Sequence, residues 1–379
     1  MARILNKHKI NTPLKIKVLV LMSGGVDSSV AAALLQKQGY DITGVYLKLY
    51  QAPKKNNKNA GLGDLCWINE KRDAQKVAAK LGIPFFVLDV TREYKKRVMD
   101  YFFKEYAAGR TPNPDVMCNK EIKFGFALNK ALKLGYDFVA TGHYARKSLL
   151  HPPLSKGKRG EFLLLAARDK NKDQSYFLWT LTQAQLARIL FPVGDYTKPQ
   201  ARQLAKKFGL PTWNKKDSQG ICFLGKVKVA DFLQRKIKPR KGDIIDLQGR
   251  KIGEHQGVWF YTIGQRQGLN IGGSGPYYVY QKNVIKNQLI VASRKDERKL
   301  NKRETRITNL YWIALPPKQG ENIMARSRYR APLVKVKLKK TKQKNVWQVC
   351  FFKPVRALTS GQSIVFYKDG QCLGGAIIQ

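Results

Sequence analysis

Two cysteines in polar, glycine- and proline-rich surroundings offer the most chemistry. Cys118 follows Pro112-Asn113-Pro114-Asp115 and precedes Asn119-Lys120-Glu121-Ile122-Lys123-Phe124, and Cys222 closes Lys215-Lys216-Asp217-Ser218-Gln219-Gly220-Ile221. The prolines impose an extended approach, and the residues from Cys118 onward read as a helix. A thiol at a helix N-terminus beside Lys120 and Lys123 is expected to favour its thiolate. Asp115 stands one helical turn earlier; it suits acid–base work and equally suits a helix cap. Cys350 alternates with apolar neighbours and reads as a small buried side chain, as do Cys66 and Cys372. Five scattered cysteines and four histidines fit neither a disulfide framework nor a metal site, so no bound metal is expected.

A second motif handles phosphate. Ser23-Gly24-Gly25-Val26-Asp27-Ser28-Ser29 lies between an apolar strand pattern and a helical one. Two glycines let backbone approach a ligand, N–H groups of the turn and helix start point outward, and three serines add donors. The Gly-Lys-Ser/Thr of a Walker loop is absent, and so is the dinucleotide-binding glycine pattern. A pyrophosphate cradle without its own lysine resembles the PP-loop ATP pyrophosphatases, which cleave ATP to AMP and pyrophosphate while adenylating a substrate.

These residues need a frame. Strand patterns at Lys17–Met22, Ile42–Leu49, Pro84–Val90 and Tyr136–Ala140 alternate with helical ones at Val30–Gln38, Asn69–Leu81, Glu93–Ala108 and Lys120–Leu134. That alternation predicts an α/β fold with a doubly wound parallel sheet. A helical pattern returns over 173–209, clearest at Lys198–Phe208. Pro53–Asp64 and His151–Gly160 read as exposed loops, the second capping a hairpin. Beyond Gly225 short alternating strands and glycine turns dominate. The expected organisation is a catalytic ATP-binding domain at 1–225, a small mixed or β central domain at 226–298, and a C-terminal β-barrel at 299–379, the last two touching RNA.

Composition narrows the partners. Lys+Arg number 71 against 26 Asp+Glu, a formal net charge of +45, and a polyanion would relieve that self-repulsion. No uncharged apolar run reaches the ~18 residues of a bilayer span, so no membrane partner is expected, and a basic arm over the first 20 residues suits a cytoplasmic protein better than a leader. Val334-Lys335-Val336-Lys337-Leu338-Lys339 places three lysines on one strand face. In Arg328-Tyr329-Arg330 an aromatic ring lies between two guanidinium groups, a pattern able to stack on a base and grip phosphates.

Taken together, the motifs resemble the tRNA-specific 2-thiouridylases. Beyond the phosphate loop and the Cys118 segment the resemblance covers Gly109-Arg110-Thr111-Pro112, Ala140-Thr141-Gly142-His143-Tyr144, Asn171-Lys172-Asp173-Gln174-Ser175-Tyr176-Phe177, Gly220-Ile221-Cys222-Phe223, Gly253-Glu254-His255-Gln256-Gly257, Arg328-Tyr329-Arg330 and Gly361-Gln362-Ser363, in the family's order. Leu47-Lys48-Leu49-Tyr50 departs from the family's usual residues. The resemblance implies that Leu21, Met22, Ser23, Gly24, Gly25, Val26, Asp27, Ser28, Leu47 and Gly142 hold ATP, with Mg²⁺ offsetting phosphate charge. It implies that Asn113, Pro114 and Asp115 meet the target base, and that His143, Lys172, Asp173, Gln174, Arg328, Tyr329 and Gln362 meet tRNA. It makes Cys118 the nucleophile and Cys222 the persulfide carrier, loaded by a donor protein such as a cysteine desulfurase or sulfur-relay protein. Asp115, Cys118 and Cys222 could instead hold an iron–sulfur cluster, an alternative the residues leave open.

Overall fold

The computed structural model describes residues 15–50, 63–151, 161–216, 229–272, 275–318 and 321–379. The N-terminal arm, the loop from Pro53, the hairpin tip after His151 and Cys222 itself lie outside these residues.

Five parallel strands form the first sheet, β1 (Lys17–Leu21), β2 (Asp41–Lys48), β3 (Phe85–Asp89), β4 (Phe138–Thr141) and β7 (Ile189–Leu190), in the order β3-β2-β1-β4-β7. Every apolar residue of β1 is buried, as befits a central parallel strand covered on both faces. Val18 and Val20 pack against the α1 helix (Val26–Lys37) and Ala201 and Ala205 of the helix Lys198–Lys207, while Leu19 and Leu21 meet Phe124, Leu128 and Ala131 on the opposite face. From β1 the chain winds to one side through β2 and β3, then returns to the other through β4. The switch point therefore falls between β1 and β4, and in such sheets ligands bind at the carboxyl ends beside it.

A continuous helix over 114–133 covers the second face. It begins at Pro114, not at Cys118 as the sequence suggests. Asn113 caps it, its Oδ1 accepting from the Val116 N–H at 3.2 Å, and Pro114 fits the first turn because its missing N–H would have had no partner there. From Cys118 to Ala127 the turns widen to π-type, a geometry found mostly at functional sites. A similar widened stretch, Lys95–Met99 within the helix 91–107, packs against it.

Of the helical expectation over 173–209 the structure keeps Lys198–Lys207 and the short turns Ser175–Phe177 and Gln183–Leu186; Ile189–Leu190 instead joins the sheet edge. After β4 the chain leaves this sheet to form the antiparallel hairpin β5 (Ala145–His151) and β6 (Glu161–Ala166).

Four strands, β8 (Gly242–Ile245), β9 (Lys251–His255), β10 (Tyr277–Asn283) and β11 (Gln288–Ser293), make the central sheet in the order β10-β11-β8-β9. Six more follow: β12 (Asn301–Trp312), β13 (Ile323–Arg326), β14 (Val334–Lys340), β15 (Trp347–Arg356), β16 (Ser363–Lys368) and β17 (Gln371–Ile378). The pairing β12–β17 closes these into a barrel around Ile307, Val336, Val349, Phe351, Ile364 and Phe366. The hairpin extends the barrel sheet, β6 pairing with β17 through Leu165–Gln371 and Leu164–Cys372. Among the described residues no helix is long and apolar enough to cross a membrane.

Candidate active site

The phosphate loop springs from the end of β1. Leu21, Met22 and Val26 are buried, so only their backbone is available to a ligand. Ser23 is exposed; its N–H donates to Ser28 Oγ at 3.2 Å and the two hydroxyls lie 3.3 Å apart. Gly24 has φ +71°, and a Cβ there would sit 2.1 Å from the Glu70 carbonyl oxygen of the α2 helix (Gly63–Leu81). Gly142, at the end of β4, is packed so closely that a Cβ would lie 2.5 Å from the Ser28 nitrogen. The two walls of the switch point thus touch through glycine, bringing the family's ATP residues Ser23–Ser28 and Gly142 together.

Asp27 is held by two internal partners. Both its oxygens accept from Lys198 Nζ at 2.7 and 2.8 Å, and Oδ1 also accepts from the Tyr144 hydroxyl at 2.8 Å. Tyr144 is held in turn by Gln174, whose Oε1 accepts from the Tyr144 N–H at 2.9 Å. Lys198 and Tyr144 were not singled out from the sequence, and a lysine in the first turn of a helix gives no local sign of such a partner. A third such residue is Lys215, whose Nζ donates to the Gly24 carbonyl at 3.0 Å and to Asp73 Oδ2 at 2.6 Å. The signal was available, because the loop lacks a lysine and Lys215 belongs to the Cys222 motif.

Cys118 departs from its expected character. It is buried among Val90, Tyr94, Val98 and Ile122, on the inward face of its helix rather than at an end. Burial pushes its thiol up to about 11; Lys123 pulls the other way and Asp115 adds to the rise. The thiol is therefore protonated at neutral pH. Alkylation of Cys118 should be about a hundredfold slower at pH 8 than for an exposed cysteine and should still be rising beyond pH 10; peptide mass spectrometry after timed iodoacetamide treatment reads this directly, and a plateau near pH 9 would contradict it.

His143 is buried, with Nδ1 2.8 Å from Thr141 Oγ1 and its ring 5.8 Å from that of Phe124. Burial first, and Lys123 second, hold it well below the usual imidazole range, so it is neutral at physiological pH and offers no cation to a phosphate. Leu47 is half-buried and packs against both the Leu21 cluster and the Cys118 cluster.

Several residues implied to meet tRNA are engaged internally. Asp173 is buried and accepts from the Ala167 and Ser175 N–H groups and the Ser175 hydroxyl, with Arg326 beside it at 3.5 Å. Arg328 Nη2 donates to the Ile263 and Ala357 carbonyls and to Thr359 Oγ1, at 3.1, 2.7 and 2.6 Å. That hand of the guanidinium joins the central sheet to the barrel rather than reaching for phosphate. Tyr329 packs on Phe177 with ring centres 4.5 Å apart, and Arg330 lies over its ring. Gln362 Nε2 donates to the Thr111 and Pro112 carbonyls at 2.9 and 3.1 Å. Lys172 is half-buried. Exposed Lys337 and Lys339 alternate with the buried Val336 on β14, as the sequence pattern predicts.

Cys222 lies outside the described residues. The chain before it passes the phosphate loop at Lys215, and the chain after it packs Phe232 on Phe103 of the helix 91–107, with rings stacked at 5.3 Å. Among the described residues no cluster of three or more His, Cys, Asp or Glu could hold a metal ion. Both Asp27 oxygens accept from Lys198, so an Mg²⁺ brought by a nucleotide would be held chiefly by phosphate and water.

A doubly wound parallel sheet with a lysine-free phosphate loop at its switch point defines a nucleotide-binding α/β enzyme of the PP-loop kind. Residues 16–226 match the family model described as a tRNA methyl transferase HUP domain, residues 230–293 a tRNA methyl transferase PRC-barrel domain, and residues 302–378 an aminomethyltransferase beta-barrel domain. Curated relatives named tRNA-specific 2-thiouridylase MnmA include those of Flavobacterium johnsoniae, 40% identical over 96% of this chain and 99% of the relative, and Idiomarina loihiensis, 43% identical over 96% of each. The relative from Bacillus thuringiensis strain Al Hakam is 43% identical over 97% of this chain and 95% of its own length. The chain belongs to the tRNA-specific 2-thiouridylase family.

Proposed function

We propose that this enzyme replaces the C2 oxygen of a tRNA wobble uridine by sulfur at the expense of ATP, acting in the cytoplasm. One observation carries the reading. Cys118 packs with Leu47, Leu88 and Val90 at the carboxyl ends of β2 and β3, on the same sheet edge as the phosphate loop at the end of β1. A base seated against Asn113-Pro114-Asp115 would thus stand between an activated phosphate and a thiol.

The uracil C2 oxygen is a poor leaving group. Its attack on the α-phosphorus of ATP would expel pyrophosphate, which the Ser23–Ser28 loop is built to cradle, and leave an O-adenylated base. Lys215, with Mg²⁺ brought by the nucleotide, would offset the phosphate charge. Sulfur would come as a persulfide on Cys222, loaded by a separate donor protein. In one route the terminal sulfur attacks C2 and expels AMP, and the Cys118 thiolate then attacks the Cys222 sulfur, breaking the S–S bond and leaving its electrons on the thiocarbonyl. In the other, Cys118 attacks first and the released sulfide displaces AMP. Both end in a Cys118–Cys222 disulfide that an external dithiol must reduce before the next turnover. Because the Cys118 thiol is protonated at rest, either route needs a base, and Asp115 one turn away is the candidate. The same helix thus carries acid–base group and nucleophile.

Pyrophosphate release should depend on unmodified tRNA, and nucleoside mass spectrometry after incubation with ATP, a dithiol and a persulfide donor should show 2-thiouridine at the wobble position. ATP cleavage that ignores tRNA, or tRNA left without thiolated uridine, would sink the reading.

A further inference from the structure

We propose that Gln362 is a positioning residue, holding the Thr111–Asn113 segment, and through it Asp115 and Cys118, from the rim of the C-terminal barrel. The proposal rests on the thiolation reading above.

The segment ahead of the Cys118 helix belongs to the N-terminal unit, yet both other units hold it. From the barrel, Gln362 Nε2 donates to the Thr111 and Pro112 carbonyls at 2.9 and 3.1 Å, and Ser360 supplies the carbonyl that accepts from the Thr111 N–H at 2.8 Å. Gly361 makes the approach possible: its φ is +89°, and a Cβ there would lie 2.9–3.0 Å from the Thr111 backbone. The turn is itself pinned, because the Gly361 N–H donates to the Ile378 carbonyl and the Ile378 N–H to the Gln362 carbonyl, both at 2.9 Å. From the central unit, Thr262 Oγ1 lies 3.4 Å from Thr111 Oγ1, and Val284 sits where a Gly109 Cβ would be 2.3 Å from it. Asn113, next in the chain, caps the helix that carries Asp115 and Cys118.

The amide of Gln362 has two hydrogens, and both face carbonyls of this segment. What remains is an acceptor oxygen, which a phosphate would repel. Its chemistry suits a brace between a barrel and a catalytic helix. Pinning a reactive group from a neighbouring rigid element is worthwhile because small misplacements near the chemistry are amplified: about 1 Å costs on the order of a hundredfold in rate.

The test is Gln362→Met, which keeps the length and removes both donors, with Gln362→Glu as a second variant that turns an acceptor toward the two carbonyls. With tRNA transcript and ATP saturating, so that any change in transcript affinity drops out, the rate of 2-thiouridine formation should fall about tenfold in Gln362→Met and further in Gln362→Glu. Hydrogen exchange of the 109–113 peptide should quicken in both variants, with the sheet core unchanged. A saturating rate equal to wild type overturns the proposal, whatever happens to transcript affinity. If the wild-type enzyme forms no 2-thiouridine, the thiolation reading has failed instead, and unchanged hydrogen exchange at 109–113 would then overturn the brace on its own.

Discussion

Replacing Cys118 by serine should abolish 2-thiolation, by roughly a thousandfold or more, as is usual when a nucleophile is removed. Binding of tRNA should hardly change, because the side chain is 1% exposed and reaches no surface that a phosphate could touch. Serine places a hydroxyl in an apolar nest formed by Val90, Tyr94, Val98 and Ile122, and burying an unpaired hydroxyl costs about 1–3 kcal/mol. Cys118→Ala separates loss of chemistry from loss of stability, since it removes the sulfur without introducing a polar group. Cys222→Ser should match Cys118→Ser in lost activity. Incubation with ATP, tRNA, a dithiol and a persulfide donor, read by nucleoside mass spectrometry, measures all three, and substantial 2-thiouridine from either serine variant would remove the two-sulfur scheme.

Gly24→Ala should cripple the phosphate loop with a single methyl group. A left-handed conformation costs an L-residue roughly 1–2 kcal/mol, and here the new Cβ would also be driven to 2.1 Å from a backbone oxygen of Glu70. The clashing atoms are all Glu70 backbone, so the turn must open and its N–H groups must tilt. ATP affinity should fall at least about tenfold, with a lower melting temperature. Isothermal titration with ATP and a thermal melt check both; unaltered ATP binding would mean that the Ser23–Ser28 turn is not the phosphate cradle.

What could be read from the sequence was what is local. A strand ending in Ser-Gly-Gly and running into a helix announces its own geometry, so the phosphate loop and the alternating α/β frame were both legible. Partners far away in the chain were not. Lys198 beside Asp27, and the internal partners of Asp173, Arg328 and Gln362, come from segments far away in the chain and leave no local sign. Cys118 misled for a related reason: its polar neighbours Asn119, Lys120 and Glu121 suggest an accessible thiol. A helix nevertheless turns some residues inward whatever their neighbours' polarity, and here Cys118 and Ile122 enter an apolar cluster while Asn119 is buried as well. The start of that helix was misplaced because the two prolines, read as an extended approach, include the residue that opens it.

The pairing of β6 with β17 limits how the enzyme can admit a tRNA. A ladder of backbone hydrogen bonds resists shear, and this one runs from a hairpin of the nucleotide-binding unit straight into the wall of the barrel. Swinging the barrel on a hinge, a common way for multi-unit enzymes to open, would have to tear that seam. Any opening that admits a tRNA must therefore either spare this seam or break the pairing of Leu164 and Leu165 with Cys372 and Gln371.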